Sequence, residues 1–178
     1  MEFDVIQGNI AEQSAGALVN AAGTSLEMGS GVAGALRDRA GEEINEEATE
    51  KGPIDLGEAA ATDAYDLNAD YVIHAAAMPH YGDGQATGES IRDATRNALE
   101  NADDLGCRSI VVPALGCGVA GFDLEAGAAI IGEEIENYEP EHVEEVRLIG
   151  YSDEEYEAIR AATGKATESE QGEAEADR

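Results

Sequence analysis

The chain has 178 residues, of which 43 % are hydrophobic, which is enough for one domain with a sizeable core. Its 39 acidic and 10 basic side chains give a net charge of -29, which argues against nucleic-acid and membrane partners. No apolar stretch could span a bilayer, the sequence from Met1 lacks a signal-peptide pattern, and two cysteines suggest no disulfide framework. We therefore predict a cytoplasmic protein.

The acidic excess also predicts a salt-rich environment. Lys51 and Lys165 are the only lysines. A field this negative disfavours anionic ligands in dilute buffer, but at about 1 M salt the Debye length is only about 3 Å. Because halophiles use high net charge in this way, we interpret the chain as an intracellular protein of a salt-accumulating halophile, such as a halophilic archaeon.

Strands and helices alternate along the chain after a strand-rich start. Short apolar runs are typical of buried parallel strands, and apolar residues at helical spacing mark the helices. The predicted strands are Phe3–Gln7, Ala17–Asn20, Glu58–Thr62, Tyr71–Ala75, Ser109–Pro113 and Val143–Gly150. The predicted helices are Val32–Ala40, Glu42–Lys51, Glu89–Leu105, Asp123–Tyr138 and Asp153–Ala162.

This order of elements predicts an α/β protein, with a mixed, mostly parallel sheet covered by helices on both faces. The architecture is a three-layer α/β/α sandwich. We assign residues 1–164 to this single domain. Residues 165–178 are acidic and lack large apolar side chains, so we predict a disordered acidic tail.

Two hexapeptides share the pattern G-x-G-V-A-G. They are Gly29-Ser30-Gly31-Val32-Ala33-Gly34 and Gly116-Cys117-Gly118-Val119-Ala120-Gly121. Glycine lets backbone N–H groups approach a ligand closely, and N–H groups at a helix N-terminus attract anions. Ligands of such sheets bind beyond the carboxyl ends of the strands, where both loops are expected. The pair therefore predicts a clamp around a diphosphate.

Two other readings of these loops remain open. A dinucleotide fold needs the glycine motif directly after a strand and an acidic residue about 20 positions later. The first copy lies several residues from its strand and too little chain follows the second, so an NAD-dependent oxidoreductase is a remote alternative. Cys117 lies near a helix start, where a thiolate nucleophile can form. No arginine follows it at short spacing to hold a phosphate, and we favour a packing role.

Several stretches, taken in order, point to a known family. They are Phe3–Ile10, Ala17–Ala22, Leu26–Gly34, Tyr71–His74 and Ser109–Ala114 running into the second loop. Together they resemble a macro domain over nearly the whole chain, up to about Thr163. The resemblance implies that the ligand is ADP-ribose or a related nucleotide, free or attached to an ADP-ribosylated protein, and that no cofactor or metal is needed.

The resemblance also implies a set of ligand-binding residues. Asn9 would face the adenine amino group, with the Ile10 backbone beside it, and Tyr151 would stack on the adenine. Gly29, Ser30, Gly31, Val32 and Ala33 would wrap the proximal phosphate and ribose, and Gly116, Cys117, Gly118, Val119 and Ala120 would hold the diphosphate. Ala22, Gly23, Leu115 and Gly121 complete the set, and Phe122 covers the distal ribose or belongs to the core.

Five positions depart from the family pattern, and one of them is Ala120, where the family often has an aromatic residue. The adenine-reading aspartate is here Asn9. The asparagine, aspartate and histidine of the hydrolase subgroup are replaced by Gly23, Ala33 and Arg37. The catalytic residues therefore stay unassigned, because the usual water-activating arrangement, worth about 10²- to 10⁴-fold, cannot form. We predict a binder of ADP-ribose. The alternative is an ADP-ribosyl ester hydrolase, acting on O-acetyl-ADP-ribose or an ADP-ribosylated protein, in which a substrate phosphate orients the water.

Overall fold

The computed structural model describes residues 1–79, 84–117 and 121–165. Its strands are β1 (Glu2–Gln7), β2 (Ala15–Gly23), β3 (Ala59–Asp63), β4 (Ala69–Met78), β5 (Ser109–Pro113) and β6 (Glu145–Gly150). Its helices are α1 (Gly31–Ala40), α2 (Glu43–Lys51), α3 (Gly88–Asp104), α4 (Leu124–Asn137) and α5 (Asp153–Thr163), with a short 3-10 turn at Ile10–Glu12. Every predicted strand and helix is present. The predicted tail after Lys165 lies outside the described residues.

The six strands form one mixed sheet in the order β1-β6-β5-β2-β4-β3. All neighbouring pairs are parallel except β3 and β4. The antiparallel strand β3 lies at one edge, next to β4. Five parallel strands therefore end at the same side of the sheet, which confirms the predicted mixed, mostly parallel arrangement.

Two hydrophobic cores cover the two faces of this sheet. One is built with α3, α4 and α5, whose buried side chains include Ile91, Ile131 and Ile159. The other is built with α1 and α2, through residues such as Leu36 and Ile44. Helices thus pack on both faces, as the three-layer prediction requires. No helix among the described residues is long and apolar enough to cross a membrane.

The strand β2 is longer than its sequence pattern indicates. The apolar run predicts Ala17–Asn20, but pairing with β4 continues from Ala15 to Gly23. Alanine and glycine are poor strand formers by themselves. Since β2 lies between β5 and β4, hydrogen bonds to its neighbours stabilise the extended backbone beyond the apolar run.

A buried histidine links three strands. His74 Nδ1 lies 3.0 Å from Asn20 Nδ2, and its Nε2 lies 3.0 Å from Thr62 Oγ1. The Thr62 hydroxyl donates to the carbonyl of Asp63, so Nε2–H donates to Thr62 and Nδ1 accepts from Asn20. Burial, aided by the positive charge of Lys51, lowers the pKa of His74 to about 4. His74 is therefore a neutral, structural residue.

This low pKa predicts a pH-dependent stability. Between pH 6.5 and pH 4 the unfolded chain protonates His74 while the folded chain does not, so the unfolding free energy falls with pH by up to about 3 kcal/mol. In the variant His74→Gln this contribution is absent. Denaturant unfolding at pH 7 and pH 4 should show the advantage of the wild type over the variant shrinking by that amount. A difference that stays constant with pH would contradict the assignment.

Candidate ligand-binding site

A cavity of about 560 Å³ opens at the carboxyl ends of the parallel strands. This size suits a ligand of nucleotide dimensions. Its lining is mostly apolar and combines strand ends with the loops that follow them. The lining residues are Gly8, Asn9, Ile10, Ala21, Ala22, Ser30, Gly31, Val32, Ala35, Met78, Pro113, Ala114, Gly116, Cys117, Leu124, Ile149, Tyr151 and Glu155.

The cavity lining includes residues at or just beyond five strand ends. In sheet order these are β1, β6, β5, β2 and β4, represented in the lining by Asn9, Tyr151, Gly116, Ala22 and Met78. Neighbouring strands lie about 4.8 Å apart, so the row of strand ends measures about 19 Å. This length exceeds that of a mononucleotide and indicates a ligand with groups at both ends.

The first glycine loop enters the cavity at the start of α1. Gly31 has a φ of +66°, and among the described residues no atom other than those of its chain neighbours and its own helix backbone lies within 4 Å of the position that a Cβ would take. The N-cap Ser30 makes no side-chain hydrogen bond to the helix, although it lines the cavity. The first N–H groups of α1 have no partner within the helix. Such groups attract anions, so an anion site beside the cavity stays a prediction.

The segment before this loop is held through the backbone of Met28. Arg37 Nη1 donates to the Met28 carbonyl oxygen at 2.6 Å, and the Met28 N–H donates to Asn45 Oδ1 at 2.9 Å. Arg37 also pairs with Glu42. Arg37 therefore holds the segment that leads into the first glycine loop. It has a positioning role at the sequence position where the hydrolase subgroup has a histidine.

The second glycine loop begins at Gly116, which has a φ of +78°. A Cβ there would lie 2.7 Å from Ile91 Cγ1 and 2.9 Å from the Ala86 Cβ, so glycine is needed for both conformation and space. Gly116 and Cys117 line the centre of the cavity. Gly118, Val119 and Ala120 lie outside the described residues, and their assignment to the diphosphate stays a prediction.

The thiol of Cys117 is not activated. Burial, together with the carboxylates of Asp123 and Glu155, raises its pKa to about 11. Sγ lies 3.6 Å from the Leu115 carbonyl oxygen, and a Cβ added at Gly127 would lie 2.5 Å from Sγ. A nucleophile needs a thiolate near neutral pH. The geometry favours the packing role of Cys117 over the role of a thiolate nucleophile.

The β1–β6 end of the cavity differs from its centre. Ile10 and Ile149 give it apolar walls, and the Tyr151 side chain is 72 % exposed at the rim. Asn9 Oδ1 accepts from the Ala11 N–H at 2.9 Å, and Glu155 Oε1 accepts from the Tyr151 N–H at 2.6 Å. An aromatic ring beside apolar walls suits a planar base, whereas the glycine loops suit phosphate groups.

Half of the predicted set reaches the cavity lining. Asn9, Ile10, Ala22, Ser30, Gly31, Val32, Gly116, Cys117 and Tyr151 line it. Six other described residues do not. Ala33 and Leu115 are buried in the two cores, Phe122 packs against the core that includes α3 and α4, Gly23 ends β2, and Gly29 and Gly121 are exposed.

Nine residues of the cavity lining are not predicted from the sequence. They are Gly8, Ala21, Ala35, Met78, Pro113, Ala114, Leu124, Ile149 and Glu155. Most are apolar residues at strand ends, and their only sequence signal is that position. Among the described lining residues the titratable side chains are Cys117, Tyr151 and Glu155, and no group of three potential metal ligands occurs in the described part of the chain.

Comparison with known proteins identifies the family. The family model described as Macro domain matches residues 19–131. A protein of Aquifex aeolicus is 38 % identical over 164 residues, covering 92 % of this chain and 99 % of its own length. Proteins of Mycobacterium tuberculosis and Mycobacterium bovis are 40 % identical over 162 residues, 91 % of this chain. The match spans only 45 % of their length, so the chain corresponds to about half of those proteins.

Solved structures agree with this result. The Oceanobacillus iheyensis macrodomain with ADP has a TM-score of 0.81 and 26 % identity, covering 92 % of this chain and 91 % of that one. The Trypanosoma brucei macrodomain in complex with ADP-ribose has a TM-score of 0.81 and 26 % identity, covering 92 % and 69 % respectively. With the sheet order, the cavity and the family match taken together, the chain belongs to the macro domain family.

Proposed function

We propose that this chain binds ADP-ribose or an ADP-ribose derivative in the cavity at the strand ends. The proposal rests above all on the cavity that runs along five strand ends. The open N-terminus of α1 at Gly31 lines the same cavity. A diphosphate beside Gly31 and Gly116 would leave the base at the Tyr151 end and a ribose at the Met78 end. Related macrodomains whose structures contain ADP or ADP-ribose support this class of ligand.

The cavity supports binding better than hydrolysis. At the hydrolase positions, Gly23 and Ala33 have no functional group and Arg37 holds the Met28 carbonyl. In the described lining, Cys117 is protonated at neutral pH and Glu155 lies at the base end, away from the expected ribose. A general base would have to reach the scissile bond within hydrogen-bond distance. An ADP-ribosylated protein is a further candidate ligand, because the cavity is open to solvent at its rim.

Binding and turnover can be separated in one assay. The protein is incubated with O-acetyl-ADP-ribose or with an ADP-ribosylated protein, and bound and released products are quantified by chromatography. We expect retention of the ligand without release of acetate or ADP-ribose above the uncatalysed rate. Multiple turnovers would replace the binding proposal by the hydrolase alternative.

A further inference from the structure

We propose that Glu155 accepts the exocyclic amino group of the bound base, while Asn9 donates to a ring nitrogen, so that this pair selects adenine over a 6-oxopurine. The inference rests on the proposed binding of ADP-ribose, because it needs a base at the β1–β6 end of the cavity. It assigns the selectivity to a residue that the sequence pattern does not single out.

The two side chains belong to adjacent segments. Gln7 pairs with Gly150 at the end of the parallel β1–β6 ladder, and the Gly8 N–H donates to the Gly150 carbonyl at 3.0 Å. The first turn of α5 packs directly on this point, since a Cβ at Gly150 would lie 2.9 Å from the backbone N of Tyr156. Asn9 follows β1, and Glu155 lies in the first turn of α5, which follows β6. Both residues line the cavity.

The orientation of the Asn9 amide leaves a donor for the ligand. Its Oδ1 accepts from the Ala11 N–H at 2.9 Å. The reverse orientation would place the amide NH₂ group against another donor, so the Ala11 N–H fixes the assignment. Nδ2 has no partner among the described residues. An NH₂ group suits the adenine N1, which is an acceptor, and it does not suit the amino group that the family resemblance places opposite Asn9.

Glu155 offers the complementary acceptor. Its Oε1 accepts from the Tyr151 N–H at 2.6 Å, and Oε2 has no partner in the described part of the chain. The side chain is half-buried at the cavity wall. A carboxylate repels an anionic ligand, and a hydrogen bond from a donor of that ligand offsets the repulsion. The two N–H bonds of an adenine amino group provide such a donor, and the resulting bond is charge-assisted.

A 6-oxopurine reverses both contacts. Its O6 would face the Glu155 carboxylate, and its protonated N1 would face the Asn9 NH₂ group. The loss of a hydrogen bond to a charged group, together with two mismatched contacts, predicts about 10- to 100-fold weaker binding. ADP-ribose and inosine diphosphate ribose differ only in this part of the molecule.

The test compares these two ligands by calorimetric titration at molar KCl. The proteins are the wild type, Glu155→Gln and the control Glu154→Gln, which removes the same charge from an exposed neighbour outside the cavity lining. Glutamine at position 155 can still accept from the Tyr151 N–H. Its amide can also present either a donor or an acceptor to the base.

We expect the wild type and Glu154→Gln to prefer ADP-ribose by at least 10-fold, and Glu155→Gln to reduce this preference to about threefold or less. The ratio between ligands is the decisive readout, because a merely structural role of Glu155 would weaken both ligands equally. A preference retained in Glu155→Gln, or a wild type that binds both ligands equally, overturns the inference and leaves the proposed function intact. A folded wild type that binds neither ligand overturns both.

Discussion

Replacing Gly31 with aspartate is expected to weaken ADP-ribose binding by at least about 100-fold, or about 2.7 kcal/mol. Gly31 lines the cavity at the N-terminus of α1, with a φ of +66° and open space where a Cβ would lie. Aspartate tolerates this backbone region better than most residues. The variant should therefore fold, and its carboxylate would occupy the anion site proposed for the diphosphate.

Two control variants isolate the charge effect, which titration calorimetry measures. Gly31→Asn has nearly the same shape and conformational preference without the charge, so it should lose much less affinity. Gly29→Asp adds the same charge two residues earlier, at an exposed glycine outside the cavity lining. If all three variants lost affinity equally, the diphosphate would not lie beside Gly31.

The change Asp103→Asn is expected to lower the unfolding free energy by about 4 kcal/mol. The buried Asp103 carboxylate accepts from the Tyr138 hydroxyl and from the N–H groups of Glu141, His142 and Val143. Burial raises the pKa of Asp103, but these hydrogen bonds outweigh burial and leave it below its usual value. Asparagine has one acceptor oxygen, and its NH₂ group would face these donors.

Denaturant unfolding at neutral pH tests this expectation. Asp104→Asn is the matched control, because Asp104 is the next residue, is exposed and carries the same charge. The stabilising contribution of Asp103 is present above the unfolded pKa of an aspartate, and it is lost as the pH falls through the lower folded pKa. Equal stability of the two variants at neutral pH would show that Asp103 does not hold the segment before β6.

The fold was largely predictable because its signals are local. The strand β5 has its predicted bounds, Ser109–Pro113. The predicted ends of α3 and α4 lie within one or two residues of the observed ends. The full lengths of β2 and β4 were not predictable. Their alanine-rich ends have little strand propensity, and pairing with neighbouring strands decides their extent.

Residue patterns alone predicted the site only at its glycine loops, whereas Asn9, Ile10, Ala22 and Tyr151 were predicted from the family resemblance. Gly31 and Gly116 have a positive φ, which few other residues adopt, so the glycines themselves are a recognisable sequence signal. Met78 and Ile149 have no such signal, because only the order of the strands in the sheet brings them to the cavity. Glu155 lies within an acidic helix start, where the sequence alone does not distinguish a cavity carboxylate from a solvated one.

The central claim is that one ligand spans the whole row of strand ends. Its most direct test is a calorimetric titration of ADP-ribose at molar KCl, with AMP and NAD as comparators. We predict micromolar affinity for ADP-ribose and far weaker binding of the other two, because AMP reaches only the base end and NAD must place a nicotinamide beyond the distal ribose. Equal affinities for AMP and ADP-ribose, or no binding by the folded protein, would contradict this account.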